Sequence, residues 1–316
     1  MCGRYASARQ RIELLEEFSV QRDRVTEPLA PDYNVAPTKP VYAVLSRAGR
    51  QEGDAEGHHA EGNHAEGNHA GVARELRVVR WGLVPSWAKD VSIGSRLINA
   101  RAETVSEKPA YRRAFAKRRC LLPADGYYEW QVLDGPAGAP SDRPGKKAKQ
   151  PFFIHRADGG PLAFAGLYEL WRDRAVPDGD PDAWLWSATI ITTSAPDELG
   201  QIHDRMPMVI PPGSWADWLD PANNDVSDLR ALLAPATAGG LDSYPVSTAV
   251  NWVRNNGPEL IEPVAADRLA PLGTAQPPGA GREKHGGSRG SRGVRGVRGV
   301  RGAASGNHGG VGAALF

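Results

Sequence analysis

Short apolar stretches of strand length, separated by turn-rich segments, run through most of the chain and constrain its fold more than any other feature. Stretches such as "PVYAVLS", "LRVVRW", "RCLLPA", "PFFIH" and "AWLWSATIITT" are each long enough for one strand. Helical patterns are few and short, as in "SARQRIELLEEF", where Ser7 is predicted to cap the helix, and "KPAYRRAFAKR". No regular alternation of strands with long helices occurs, which a parallel sheet would require. The pattern predicts an α+β fold, a single domain on a strongly curved, barrel-like antiparallel sheet with flanking short helices.

Two segments of low complexity lie outside this pattern. The first, at about 50–73, contains "AEGNH" twice in tandem and is predicted to be a disordered, His-rich insert that joins two strands of one sheet. The second, 265–316, is rich in Gly, Pro and Arg and contains "RGVRGVRGVRG". It is predicted to be a disordered tail. The predicted folded domain is therefore 1–264.

Composition excludes several classes of protein. The chain has 316 residues, 41% of them hydrophobic and 24% charged, and no apolar run reaches the roughly 18 residues of a membrane helix. No secretory signal is visible at the N-terminus. The two cysteines, Cys2 and Cys120, are too few for a disulfide framework, so we expect a cytoplasmic protein, nucleoid-associated in a bacterial cell, with Cys120 as a buried apolar residue. Because the formal net charge is only +1, any binding of nucleic acid must come from local patches.

The chain opens with "MCGRY", which places a cysteine at the second position. If the initiator Met is removed, Cys2 becomes the N-terminus and carries an α-amine and a thiol on adjacent carbons. The α-amine titrates near ~7.7–8.0, so a useful fraction is neutral and nucleophilic at neutral pH. Such an amine condenses with an aldehyde to an imine, and the thiol then closes on the imine carbon to give a thiazolidine ring. The alternative is that the amine and the thiol act as in N-terminal nucleophile hydrolases.

Three further stretches pair a polar side chain with apolar or glycine neighbours. Glu129 in "GYYEW" lies beside aromatic residues, whose desolvating effect raises a carboxyl pKa toward the range of a general acid or base; the alternative is a strand-end Glu facing water. His203 in "IHDRMP" is a candidate acid or base, or else a loop histidine bonded to the backbone. Asn99 in "LINARAETV" is a candidate for orienting an amine or a sugar oxygen, or else a turn residue. Three arginines are candidates for phosphate binding, or else solvated surface charges: Arg4, Arg101 and Arg205.

Nine segments, taken in order, resemble the signature segments of the SRAP family, the SOS-response-associated-peptidase-like, abasic-site processing proteins. They are "MCGRY", "YNVAPT", "WGLVPSWA", "INARAET", "PADGYYEW", "QPFFIHRADG", "ITTSA", "IHDRMP" and "GPELIEPV". The resemblance extends from Met1 to about Val264 and includes neither the insert nor the tail.

The resemblance implies a function in the DNA damage response. Such proteins bind single-stranded DNA at an abasic site, where the ring-opened deoxyribose exposes an aldehyde at C1′. The mature N-terminal cysteine traps this aldehyde as a thiazolidine DNA–protein crosslink, which shields the lesion from strand cleavage. The resemblance therefore implies abasic single-stranded DNA as the partner. No cofactor, metal or membrane is expected, and we expect a monomer.

The resemblance also assigns site residues by position. Cys2 matches the crosslinking residue, and Glu129 matches the carboxylate that holds and deprotonates the α-amine. His203 matches the residue that assists sugar ring opening and crosslink reversal, and Asn99 the amide that positions the terminal Cys and the lesion. The candidate DNA-binding residues, which match or adjoin positions beside the DNA, are Arg4, Pro37, Trp87, Arg101, Thr192 and Arg205.

Two other functions remain open from the sequence. The first is a thiol peptidase that uses Cys2 as nucleophile together with Glu129 and His203, with removal of Met1 from the chain itself compatible with both this and the crosslinking function. The second is a module that binds DNA without a covalent bond.

Overall fold

Strands greatly outnumber helices in the structure, a computed structural model that describes residues 2–48, 71–133, 147–233 and 240–264. The strands in these ranges are β1 (Tyr5–Ser7), β2 (Arg22–Asp23), β3 (Asp32–Val35), β4 (Pro40–Ala48), β5 (Val72–Trp81), β6 (Asn99–Arg101), β7 (Arg119–Ala124), β8 (Gly126–Val132), β9 (Lys149–Arg156), β10 (Leu162–Arg172), β11 (Trp184–Ser194), β12 (Arg205–Pro207) and β13 (Leu241–Pro245). The α-helices are α1 (Arg11–Glu17), α2 (Arg112–Lys117), α3 (Asp197–Gly200), α4 (Trp215–Leu219) and α5 (Val226–Ala231). The remaining helical segments are 3₁₀ turns at Val91–Arg96, Pro181–Ala183, Pro212–Ser214, Thr248–Asn251 and Pro258–Ile261.

The larger sheet closes on itself. Its strands run in the order β12-β11-β10-β7-β4-β5-β2, and β11 also pairs with β5. The closing pair is parallel and short, with Ser187 opposite Arg80 and Ala188 opposite Trp81. Strands β4, β5, β11, β10 and β7 therefore form a five-stranded barrel, which confirms the predicted α+β fold with a barrel-like sheet. The neighbouring pairs β2–β5 and β6–β11 are also parallel. The sheet was predicted to be antiparallel, and these pairs differ from that prediction.

The smaller sheet is fully antiparallel and holds the N-terminus of the chain. Its order is β13-β9-β8-β1-β3, with β1 between β8 and β3. Tyr5 lies opposite Tyr127 on β8 and opposite Val35 on β3. This pairing fixes the start of the chain next to β8, the strand that contains Glu129.

The central part of β4 is apolar on both faces because each face is covered. On β4, Tyr42 and Val44 belong to a cluster with Phe115 of α2 and Trp218 of α4. The alternate residues Ala43 and Leu45 belong to a second cluster that includes residues of the smaller sheet. Alternation of side chains along a strand thus places helices against one face of the barrel wall and the smaller sheet against the other.

The predicted insert connects two neighbouring strands, as expected. Ala48 at the end of β4 pairs with Val72 at the start of β5, so the connection joins two antiparallel neighbours of one sheet. Strand β5 begins at Val72, slightly before the predicted end of the insert. Residues 49–70 and the predicted tail 265–316 lie outside the described residues, so the predicted domain boundary at 264 stays a prediction. Among the helices that the structure describes, none has the length and apolar character needed to cross a membrane.

Candidate active site

The site is built around Cys2, which is fully buried in the apolar cluster between the barrel and the smaller sheet. Burial is the main cause that raises the pKa of its thiol, and the nearby Glu129 carboxylate raises it further. The backbone N–H of Arg4 bonds to the thiol and opposes this shift. In this environment the thiol is protonated at neutral pH.

Asn99 holds the backbone of Cys2. Its Nδ2 donates a hydrogen bond of 2.6 Å to the carbonyl oxygen of Cys2. Asn99 reaches this position because it begins β6, which runs parallel to β11 with Asn99 opposite Ile190. Tyr111 supports the strand from the other side, since its hydroxyl donates to the carbonyl oxygen of Asn99 at 3.1 Å. The Oδ1 atom of Asn99 is buried and accepts no hydrogen bond from any residue in the described part of the chain, so it can accept one from a bound molecule.

Glu129 is a buried carboxylate with an unusual pKa. It lies in the middle of β8, opposite Phe152, and only 3% of its surface is exposed. Burial is the main cause that raises its pKa from 4.5 to about 7, while the N-terminal ammonium group acts in the opposite direction. The prediction of a desolvated carboxylate is confirmed, and at neutral pH Glu129 can both accept and donate a proton.

His203 approaches Glu129 from the loop that precedes β12. Its Nε2 lies 4.0 Å from Oε2 of Glu129. The backbone N–H of Arg205 donates to Nδ1 at 3.0 Å, and this contact needs a lone pair on Nδ1. Asp204 also lies 2.9 Å from Nδ1, but its side chain is 86% exposed, so the fixed backbone donor decides the tautomer. The hydrogen of the neutral ring is therefore on Nε2, facing Glu129, and burial followed by the N-terminal ammonium group lowers the pKa of His203.

The six candidate DNA-binding residues divide into two groups. Trp87 and Arg101 are exposed, and Pro37 is half-buried. Arg101 lies opposite Thr192 on β11, only two residues along β6 from Asn99. Arg101 is therefore an accessible cation close to Asn99 along β6.

The second group is already engaged within the protein. Nη2 of Arg205 donates to the carbonyl oxygen of Thr192 at 2.6 Å, and its Nη1 pairs with Glu103 at 2.5 Å. Arg4 points to buried acceptors instead of solvent, because its Nη1 donates to Oδ1 of Asn34 at 2.7 Å and to the carbonyl oxygen of Val250 at 2.9 Å. If Arg4 or Arg205 binds a phosphate, it does so in addition to its contacts within the protein.

Sequence reasoning missed two features of the site. Asn34 in "YNVAPT" is fully buried and organises the segment around Val250. Tyr127 and Tyr5 lie beside each other across β1 and β8, and each has a buried hydroxyl without a hydrogen-bond partner among the described residues. A polar residue between Tyr33 and Val35 was the available signal for Asn34. No sequence signal distinguishes Tyr5 and Tyr127 from ordinary core residues.

A neighbouring cavity and possible metal ligands are two other features that could mark the site. A cavity of about 640 Å³ adjoins it through Thr193 and Met206, but neither Cys2 nor Glu129 lines that cavity. Within the described ranges, no group of three or more His, Cys, Asp or Glu side chains is placed to hold a metal ion. The site is identified by the convergence of Cys2, Asn99, Glu129 and His203 from four separate segments.

Comparison with known proteins gives one family and one fold. The profile of the SOS response associated peptidase (SRAP) family matches residues 1–253. The abasic site processing protein YoqW of Bacillus subtilis is 37% identical over 262 residues, which cover 83% of this chain and 99% of the relative. The abasic site processing protein YedK of Escherichia coli is 31% identical over 269 residues, covering 84% of this chain and 100% of the relative. The crystal structure of a protein from Bacteroides thetaiotaomicron superposes with a TM-score of 0.61 at 22% identity, covering 84% of this chain and 100% of that one, and shows the same fold.

Proposed function

Because the chain belongs to the SOS response associated peptidase (SRAP) family, we propose that it processes abasic sites in single-stranded DNA by forming a covalent thiazolidine crosslink through Cys2. The observation that carries the proposal is the anchoring of the terminal residue: Asn99 fixes the Cys2 carbonyl at 2.6 Å in a site that also contains a carboxylate with a pKa of about 7. Removal of Met1 by hydrolysis of the first peptide bond precedes the reaction and frees the α-amine of Cys2.

The first step joins the amine to the aldehyde of the ring-opened sugar. The Glu129 carboxylate takes a proton from the terminal ammonium group, and the neutral amine attacks C1′. The resulting carbinolamine loses water to give an imine, with the protonated Glu129 able to supply the proton that the departing hydroxyl needs. A group with a pKa near the working pH suits both transfers, because it is present in both protonation states.

The second step closes the ring. The Cys2 thiol adds across the C=N bond, so that a C–S bond forms and the thiol proton is transferred to nitrogen. Asn99 holds the Cys2 backbone during this step, and its Oδ1 is available to accept a hydrogen bond from a sugar hydroxyl. In this proposal His203 assists ring opening of the sugar and the reverse reaction, and its Nε2 lies 4.0 Å from Oε2 of Glu129, which supports that role.

The state of the thiol favours this function over a general thiol peptidase. A thiol peptidase needs a thiolate at neutral pH, usually obtained by a neighbouring positive charge that lowers the thiol pKa. Here burial and the Glu129 carboxylate raise it, which disfavours a free thiolate. Addition to an imine carbon requires the thiol only after a strong electrophile has formed next to it.

A denaturing gel tests the proposal. A single-stranded oligonucleotide that contains uracil is treated with uracil glycosylase and mixed with the purified protein. We expect a band of protein–DNA adduct that survives denaturation and needs no reductant, as a thiazolidine should. A complex lost on denaturation would identify a non-covalent binding module, and cleavage of unrelated peptides without an adduct would identify a peptidase; either result contradicts the proposal.

A further inference from the structure

Trp252 is a large apolar side chain that the fold leaves exposed. The residue is 59% exposed, on the segment that follows the 3₁₀ turn Thr248–Asn251. The guanidinium carbon of Arg254 lies 5.4 Å from the centroid of the indole ring, within cation–π distance. The exposed ring and the cation beside it thus form one unit on the surface.

The backbone beneath this unit is held in place. The side chain of Asn34 is fully buried, and its Nδ2 lies within hydrogen-bond distance of three carbonyl oxygens: those of Val250 at 3.3 Å, Trp252 at 3.1 Å and Asn255 at 2.9 Å. Asn255 closes the segment by donating from Nδ2 to the carbonyl oxygen of Ala249 at 2.8 Å. A ring on such a backbone loses little conformational entropy on binding, which is the property of a preformed contact site.

The same segment is tied to the chain neighbours of two site residues. Arg4, two residues after Cys2, donates to the carbonyl oxygen of Val250 at 2.9 Å. Trp130, which directly follows Glu129, donates from its indole N–H to Oδ1 of Asn251 at 2.7 Å. The position of Trp252 is therefore connected through short contacts to the N-terminal segment that contains Cys2 and to β8, which contains Glu129.

We propose that Trp252 is a stacking platform for one unpaired base of the single strand beside the lesion, with Arg254 against the adjacent phosphate. A flat π surface next to a cation complements a nucleobase with its phosphate better than it complements an aliphatic protein surface. Single-stranded substrate supplies unpaired bases on both sides of an abasic nucleotide. The inference rests on the proposed function, because it takes single-stranded DNA as the ligand, and it adds a contact on the segment after Val250.

The test measures non-covalent binding. A fluorescent single strand with one tetrahydrofuran residue, an abasic analogue that has no aldehyde, is titrated with protein and followed by anisotropy. Trp252→Ala should raise the Kd about fivefold to a hundredfold, the range for loss of one stacked base, while Trp252→Phe should retain most of the affinity. Arg254→Ala should lower the slope of log K against log salt by about 0.7, as for one lost phosphate contact. The matched control is Trp184→Ala, which removes an indole that is 43% exposed at the start of β11 and should leave Kd unchanged.

A base scan then identifies the partner of Trp252. Each nucleotide near the lesion is replaced in turn by a second baseless spacer, and wild type is compared with Trp252→Ala. The effect of the substitution should vanish at one position, the position of the stacked base. An unchanged Kd for Trp252→Ala, or an effect that persists at every position, would overturn the proposal.

These results separate the inference from the proposed function. A binding defect of Trp252→Ala in a protein that forms no adduct would contradict the crosslinking function and support the platform. Normal adduct formation with no binding defect would contradict the platform alone. Absence of any binding to single strands by the wild type would contradict both.

Discussion

The imidazole Nε2 of His203 lies 4.0 Å from Oε2 of Glu129, and the two groups have pKa values shifted in opposite directions. Burial raises the pKa of Glu129 to about 7, and burial lowers the pKa of His203. Both shifts favour the neutral form of the group, because burial removes the water that would stabilise its charged form. Near pH 7 the carboxyl of Glu129 is therefore populated in both protonation states, and the imidazole of His203 is mostly neutral.

Glu129→Gln should slow adduct formation without weakening the binding of DNA. The amide keeps the shape of the side chain but cannot accept the proton of the terminal ammonium group. We expect the rate to fall by about 10²–10⁴-fold, the usual contribution of a general acid or base. Single-turnover gels give the rate, and anisotropy with the tetrahydrofuran analogue gives the Kd. Equal losses in rate and binding would assign Glu129 a structural role.

The pH dependence of the rate should change in the same variant. In the wild type the rate should rise with pH through about 7, as Glu129 becomes the carboxylate that accepts a proton. In Glu129→Gln only the α-amine still titrates in this range, so the midpoint should move toward ~7.7–8.0. A midpoint that does not move between the two proteins would show that Glu129 is not the base.

Glu129 should also make the stability of the fold depend on pH. Its pKa is about 7 in the folded protein and 4.5 ordinarily, so between these values the folded state binds more protons than the unfolded state. The free energy of unfolding should therefore fall as pH rises from about 4.5 to 7, by on the order of 3 kcal/mol. Urea denaturation of wild type and Glu129→Gln at pH 5 and pH 8 isolates this effect, because other groups titrate equally in both. The variant should gain stability relative to the wild type at pH 8, and a constant difference would contradict the shifted pKa.

The many short apolar stretches and the few helices were sufficient to predict a barrel-like sheet, but not the partners of its strands. The pairing that closes the barrel involves Arg80 and Ser187, which no local pattern connects. Likewise, Arg4 has the sequence of a surface arginine, but its acceptor, the carbonyl of Val250, lies 246 positions away. Contacts of such sequence separation depend on the assembled fold, so motif reasoning named candidate residues but could not predict their hydrogen bonds.

The predicted start of helix α1 also differs from the structure. Ser7 was predicted to cap this helix because Ser is a common N-cap. In the structure Ser7 lies in β1 opposite Asp32, and the helix begins later, at Arg11. There the carboxylate of Glu13 accepts a hydrogen bond of 2.8 Å from the backbone N–H of Gln10. Pairing of β1 with its neighbours in the smaller sheet thus outweighed the preference of a single residue, and the cap prediction was wrong.

A free N-terminal Cys2 should be required for the adduct. Mass spectrometry of the purified protein should show that Met1 is absent. Cys2→Ala removes the thiol, and an uncleaved N-terminal tag blocks the amine, so neither protein should give an adduct stable to denaturation. Cys2→Ser should give at most a weak adduct, because its hydroxyl closes only a labile ring. A stable band from either blocked protein, or retention of Met1 in an active protein, would contradict the aminothiol mechanism.

The hydroxyl of Tyr127 should lower the free energy of unfolding, whereas the hydroxyl of its neighbour Tyr128 should raise it. Both rings are fully buried, but the Tyr127 hydroxyl has no hydrogen-bond partner among the described residues, whereas Tyr128 donates to the carbonyl oxygen of Tyr33 at 2.7 Å. A buried polar group without a partner destabilises by about 1–3 kcal/mol, and a typical satisfied bond contributes about 1 kcal/mol. Tyr127→Phe should therefore raise the free energy of unfolding, and the matched control Tyr128→Phe should lower it, as measured by urea denaturation at pH 7. An unsatisfied buried group in a native structure calls for an explanation, and Tyr127 lies in the same cluster as Cys2. A loss of stability in Tyr127→Phe would mean that this hydroxyl has a partner in solution, and the site around Cys2 would then be more polar than the structure indicates.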